Sequence, residues 1–97
     1  MTDKNIQLAI QVVPLTRDDK VYEKIDAAIE VIQNSGVEYV ITPMETVMKG
    51  PYDKLQEVAR AAQQAVIDAG CEEMLVNIKM HIRTKSDVTM EEKRLDR

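Results

Sequence analysis

The side chains of this sequence best suited to selective recognition are three carboxamides. Gln7 and Gln11 share one parity of an alternating run near the start of the chain, and Asn77 stands in a second such run, followed at the same parity by Lys79, His81 and Arg83. A carboxamide both donates and accepts hydrogen bonds, so a face carrying several of them matches the edge of a small heterocycle better than solubility alone requires. That face is read here as a ligand or subunit surface, against the plainer alternative of a solvated sheet face.

Groups for covalent or acid–base chemistry are few. His81 is the single histidine and falls on an exposed strand position, where a surface histidine is the expected role. Cys71 is the single cysteine; it follows a glycine and reads as a small buried residue rather than a nucleophile. One of each gives no disulfide framework and no protein-built zinc site. The three glycines are assigned to two helix caps and one loop, which leaves no Gly-rich phosphate cradle. Arg17, between the first strand and the first helix, invites an acyl-phosphate hydrolase reading. That chemistry wants backbone amides around the arginine, and Asp18 and Asp19 would repel a phosphate. No catalytic residue, metal ligand or required cofactor is therefore assigned, and the chain is expected not to be an enzyme.

The elements that must position these groups follow from periodicity. From Asn5, Ile6, Leu8, Ile10 and Val12 alternate with Gln7, Ala9, Gln11 and Val13, the period of a strand with one buried face, and Pro14 ends it. Thr16, Asp18 and Asp19 offer N-cap side chains for a helix whose stripe is Val21, Ile25, Ala28, Ile29 and Ile32, closed by Gly36. The stretch VITPMETVMKGP then interrupts an apolar run with Pro43, which removes a ladder donor. Two short antiparallel strands joined by a Pro43-Met44-Glu45 corner accommodate it. Pro51 suits the first turn of a second helix with buried Leu55, Val58, Ala59, Ala62, Val66 and Ala69, closed by Gly70. A last strand is expected from about Glu72 to Arg83. The tail, from about residue 86, carries a Thr89-x-x-Glu92 capping-box pattern that suits a short C-terminal helix.

The two helix exits, Asn34-Ser35-Gly36-Val37-Glu38 and Asp68-Ala69-Gly70-Cys71-Glu72, form a weak internal repeat. The order is then βαβ–βαβ, and right-handed crossovers give an α+β, ferredoxin-like βαββαβ fold: a four-stranded antiparallel sheet with two helices on one face. All 97 residues make one domain. In that topology the last strand lies at a sheet edge, where its unpaired backbone and the apolar Met80 and Ile82 invite another chain. A homo-oligomer is expected.

Bulk composition sets limits. The chain is 44% hydrophobic and 31% charged, as a globular domain is, but has no Phe or Trp. The net charge of −4 disfavours nucleic acid, which needs a clustered basic surface. The open face also lacks the aromatic side chains on which an RNA-recognition domain of the same element order stacks bases. No apolar run exceeds four residues (Val12 to Leu15, counting Pro14), far from the ~20 of a membrane span. The N-terminus has no signal-peptide layout. A cytoplasmic protein without membrane or nucleic-acid partners is expected.

The element order together with Tyr39-x-x-Thr42-Pro43-Met44-x-Thr46-Val47-x-x-Gly50 resembles the small thiamine-binding, YkoF-like family. The strand ending Val12-Val13-Pro14-Leu15 and the Ala-rich second helix ending at Ala69-Gly70 extend the similarity over residues 5 to about 85. The resemblance implies binding of thiamine or its hydroxymethylpyrimidine moiety by a homodimer or homotetramer, without catalysis. It makes Thr42 and Thr46 ligand candidates, and with Gln11, Glu45 and Asn77 they complete the expected ligand-binding set. Glu45 departs from the glycine common at its position in the family. Either that glycine serves a positive φ, and Glu45 is strained or the turn differs, or it leaves room for ligand, and Glu45 narrows or recharges the pocket. Two other readings stay open: an amino-acid-sensing regulatory module and, behind it, the acyl-phosphate hydrolase. The first is disfavoured because such modules usually ride on a larger enzyme.

Overall fold

The computed structural model describes residues 2–16 and 19–94. Arg17 and Asp18, on which the hydrolase reading turned, lie outside the described residues. Strand β1 (Asn5–Pro14) is followed by helix α1 (Val21–Gln33), the hairpin β2 (Glu38–Ile41) and β3 (Thr46–Pro51), helix α2 (Tyr52–Asp68) and strand β4 (Met74–His81). A 3-10 turn at Glu91–Lys93 comes last.

The sheet order is β2-β3-β1-β4 and every pairing is antiparallel. This is the βαββαβ order expected from the sequence, with β4 at one edge and β2 at the other. Register fixes the faces: Leu8 lies opposite Met48 and Met80, and Ile10 opposite Thr46 and Ile78. Those residues turn toward the helices, where Ile6, Leu8, Ile10 and Met48 meet Ala28 and Ile32 of α1 and Leu55, Val58, Ala59, Ala62 and Val66 of α2 in one core. The 3.6-residue period placed Leu55, Val58, Ala59, Ala62 and Val66 of α2 and Ala28 and Ile32 of α1 correctly, whereas Ala69, expected in the α2 stripe, is the exposed C-cap residue.

Helix ends show where local chemistry decided. At the end of α2 the Gly70 amide donates to the Ile67 carbonyl (2.9 Å) and the Cys71 amide to the Val66 carbonyl (3.3 Å), while Gly70 takes φ 95°. This is a Schellman closure, and Cys71 is buried behind it. The start of α1 differs from expectation. Lys20 is its N-cap residue, rather than Thr16 or Asp19, and no side-chain cap hydrogen bond is made there among the described residues.

Three further differences matter for the site. Strand β4 has eight residues rather than about twelve, because its register with β1 stops at His81 opposite Gln7. Gly50 lies in β3, not in a loop. A Cβ there would stand 3.3 Å from Leu55 Cδ2, so the glycine admits the close approach of α2. Finally, the sheet face away from the helices is only partly open. The Val88 amide donates to the Asn5 carbonyl (3.0 Å), the Asn5 amide to Asp87 Oδ1 (2.8 Å), and Val88 is fully buried. The C-terminal segment is thus strapped onto the sheet, and Gln7, expected on an uncovered face, is buried.

Candidate functional site

The corner between β2 and β3 is a four-residue turn built by one hydroxyl. Thr42 Oγ1 donates to the Glu45 carbonyl at 2.6 Å and accepts from the Glu45 amide at 3.0 Å and the Met44 amide at 3.3 Å. The Thr42 amide also donates to the Glu45 carbonyl, at 2.9 Å. Pro43 therefore sits where the ladder has ended, and its missing N–H leaves no pairing unmade. No non-glycine residue among those described has a positive φ. Glu45 is therefore unstrained, so if the family's glycine serves a positive φ, the turn differs here.

A cavity of about 280 Å³ opens beside this corner, between the hairpin, the C-terminal half of β1 and α1. Gln11, Thr42, Glu45 and Thr46 all line it. Val21, Ile25 and Ile29 of α1 supply its apolar wall, and Met44, which is 71% exposed, hangs at its mouth. The combination of a mostly apolar lining with a few converging polar groups is that of a small-molecule pocket, near the lower end of the usual size of about 300–1,000 Å³.

The fifth expected residue stands apart. Asn77 is exposed and does not line this cavity, but its Nδ2 donates to Gln11 Oε1 at 3.2 Å and so fixes that carboxamide. Thr46 also differs in placement from what a shared open face would require. It pairs with Ile10 and Ile41, points to the helix side and is buried. The five residues thus occupy both sides of the sheet end rather than one face. Glu45 is the junction: its carboxylate lies 3.0 Å from Lys79 Nζ, across the open face.

Sequence reasoning missed the wall from α1. Val21, Ile25 and Ile29 were read as core because periodicity reports which side of a helix is apolar, not whether a sheet residue meets it. All three are only half-buried.

The strap carries the strongest electrostatic feature. Arg83 Nη1 donates to Glu92 Oε1 at 2.8 Å, and Arg83 Nη2 pairs with Glu92 Oε2. The Thr89 amide donates to Glu92 Oε1 at 2.9 Å, and the Glu92 amide to Thr89 Oγ1 at 3.3 Å, which is the expected capping box. The Arg83 hydrogen bond first, then the Thr89 amide, hold the Glu92 carboxyl well below the usual carboxylate range. The same pairing raises Arg83.

Comparison with known proteins bears on this geometry. Residues 8–96 match the model of a family described as thiamine-binding protein. The chain belongs to the thiamine-binding protein family. A UPF0045 protein of Clostridium perfringens is 35% identical over 89% of this chain and 90% of its own. Among solved structures, a domain of unknown function, DUF77, from Bacillus cereus superposes with a TM-score of 0.87 at 43% identity, covering 93% of this chain and 86% of that one. A Thermotoga maritima protein proposed to act in thiamine biosynthesis or salvage superposes with a TM-score of 0.83 at 24% identity, covering 92% and 94%. At that identity it speaks for the fold. The family match includes the corner, its cavity and the strap through residue 94 of the described chain.

Proposed function

We propose that this member of the thiamine-binding protein family binds thiamine or its hydroxymethylpyrimidine moiety without turning it over, in the cavity at the β2–β3 corner. The observation that carries the reading is that Gln11, Thr42, Glu45 and Thr46 all line one apolar-walled cavity within the matched residues. An aminopyrimidine presents a donor beside an acceptor, which a carboxamide and a carboxylate can meet. A buried polar group left unpaired by an analogue would reject it. The cationic thiazolium gains from Glu45 at the rim. The α1 wall of Val21, Ile25 and Ile29 offers the ring an apolar surface in place of aromatic stacking.

The working form in this proposal is a cytoplasmic homodimer or homotetramer. Strand β4 supports it: its outer edge is unpaired among the described residues, and Leu75, Ile78 and Met80 are exposed along it. Among the described residues no helix is long and apolar enough to cross a membrane.

Calorimetric titration with thiamine and with hydroxymethylpyrimidine tests the reading. Saturable heat with thermal stabilisation is expected from at least one of them. No heat and no stabilisation at millimolar ligand would overturn it. A thermal-shift response to a single amino acid, with none to either pyrimidine, would favour a sensing module instead.

A further inference from the structure

The open face of the sheet carries a second recess, which shares Glu45 alone with the corner cavity. Two cavities lie on it, about 870 Å³ toward β2 and about 290 Å³ toward β4. Gln7, Val47 and Lys93 line both. Lys93 reaches from the strap to Gln7, its Nζ donating to Oε1 at 2.6 Å. One flexible side chain therefore divides what would otherwise be a single recess. The floor is apolar, since Ala9 and Val40 each stand opposite Val47 in the register, and Met90 of the strap forms part of the wall.

Gln7 is the residue this arrangement leaves incomplete. It is 5% exposed, its Oε1 is taken by Lys93, and its buried Nε2 has no hydrogen-bond partner among the described residues. A buried donor in that condition is costly, and most such groups in folded proteins are paired. The charges nearby point the same way. Lys93 meets a neutral amide, not an acid. Two acids of the rim have cations of their own, Glu45 lying 3.0 Å from Lys79 and Glu91 lying 3.0 Å from Arg94, while Glu38 stands opposite Lys49 in the register. The recess thus combines an unused N–H donor and an ammonium over an apolar floor.

We propose that this recess binds a small carboxylate with an apolar body, its oxygens accepting from Gln7 Nε2 and Lys93 Nζ as the Lys93 side chain swings aside. The ligand is opposite in charge to the one assigned to the corner cavity, so the two sites stand or fall separately.

Benzoate is a suitable probe, with neutral benzamide as its control, followed through the side-chain carboxamide resonances of Gln7 and the backbone amide of Val47. Saturable millimolar shifts at both positions are expected with benzoate, and weaker ones with benzamide. Lys93→Gln, at an exposed position, should weaken benzoate by about threefold, the order of one exposed charged contact. Gln7→Leu should abolish the Val47 shift, with the fold checked by its melting curve. Unmoved Gln7 resonances at the highest soluble benzoate, equal shifts from benzamide, or unchanged benzoate affinity in Lys93→Gln would each overturn the proposal. Shifts confined to Thr42 and Glu45 would do so too. Thiamine titration of Lys93→Gln is expected to match the parent protein.

Discussion

The carboxylate of Glu45 lies 3.0 Å from the ammonium of Lys79, which ties the acid of the β2–β3 corner to the edge strand β4. Lys79 is largely exposed and Glu45 much less so, with side-chain exposures of 73% and 25%. The pair is therefore screened, and contributes on the order of 0.2–1 kcal/mol. Its importance is electrostatic: among the described residues, Glu45 is the one acid that lines the corner cavity, and Lys79 neutralises it.

Removing each partner should move the two ligands differently. Lys79→Ala leaves Glu45 free to face a cation, so thiamine affinity should rise by about twofold to fivefold, in keeping with a screened pair. Glu45→Gln should weaken thiamine by a similar factor. Hydroxymethylpyrimidine carries no thiazolium and should change less in both variants. Parallel calorimetric titrations check this, and equal effects on both ligands would show that Glu45 does not sense the cationic ring.

The corner should not welcome a glycine at position 45. No positive φ is relieved there, so Glu45→Gly should destabilise by about 0.5–1 kcal/mol through the freedom gained in the unfolded chain. Thr42→Val removes the hydroxyl that makes three of the turn's hydrogen bonds and should cost about 1 kcal/mol, which Thr42→Ser should restore in large part. Urea titration of the three variants measures both effects. A more stable Glu45→Gly protein would contradict the unstrained corner.

Much of this was readable from residue order, and the reasons for the rest are physical. Alternation in β1 and β4 set their faces, and Pro43 marked the hairpin, because period and proline act locally. The strap was not readable. Thr89 and Glu92 announced their capping box, but Val88, Met90 and Leu95 are the three apolar residues of a polar tail, too few to set a period. The burial of Val88 against Asn5 depends on contacts across the whole chain. The same strap turned Gln7 from an expected surface residue into a buried one. Of the site, Gln11, Thr42, Glu45 and Thr46 were named in advance. The α1 wall was not, since a stripe looks the same whether it meets a strand or a cavity.

The strap should depend on that one valine. Val88→Ala removes two fully buried methyl groups and should destabilise by about 1–3 kcal/mol, at roughly 4–8 °C in melting temperature per kcal/mol for a domain of this size. Hydrogen exchange would then accelerate at the Val88 amide ahead of the core of β1. An unchanged melting temperature would mean that the strap adds nothing to the fold.

Acid should loosen the same segment. The folded-state carboxyl of Glu92 is held below its ordinary value by Arg83 and the Thr89 amide, so its contribution is fully present above the unfolded value of ~4.3. It is lost as pH falls from there toward the depressed folded value. The stability gap between the parent protein and Glu92→Gln should therefore be constant at neutral pH and narrow below about pH 4. Thermal melts across that range measure it, and a gap independent of pH would contradict the pairing. The effect is modest, because both groups are solvent-accessible.

The central claim is that the corner cavity holds thiamine or its pyrimidine, and one titration reaches it most directly. The parent protein and an Ile25→Lys variant, which puts a cation into the apolar wall, are titrated with both ligands in a calorimeter while their folds are followed by circular dichroism. The account predicts saturable binding to the parent and its loss in a folded Ile25→Lys protein. Absence of heat from both ligands with the parent protein, or undiminished binding to the variant, would contradict it.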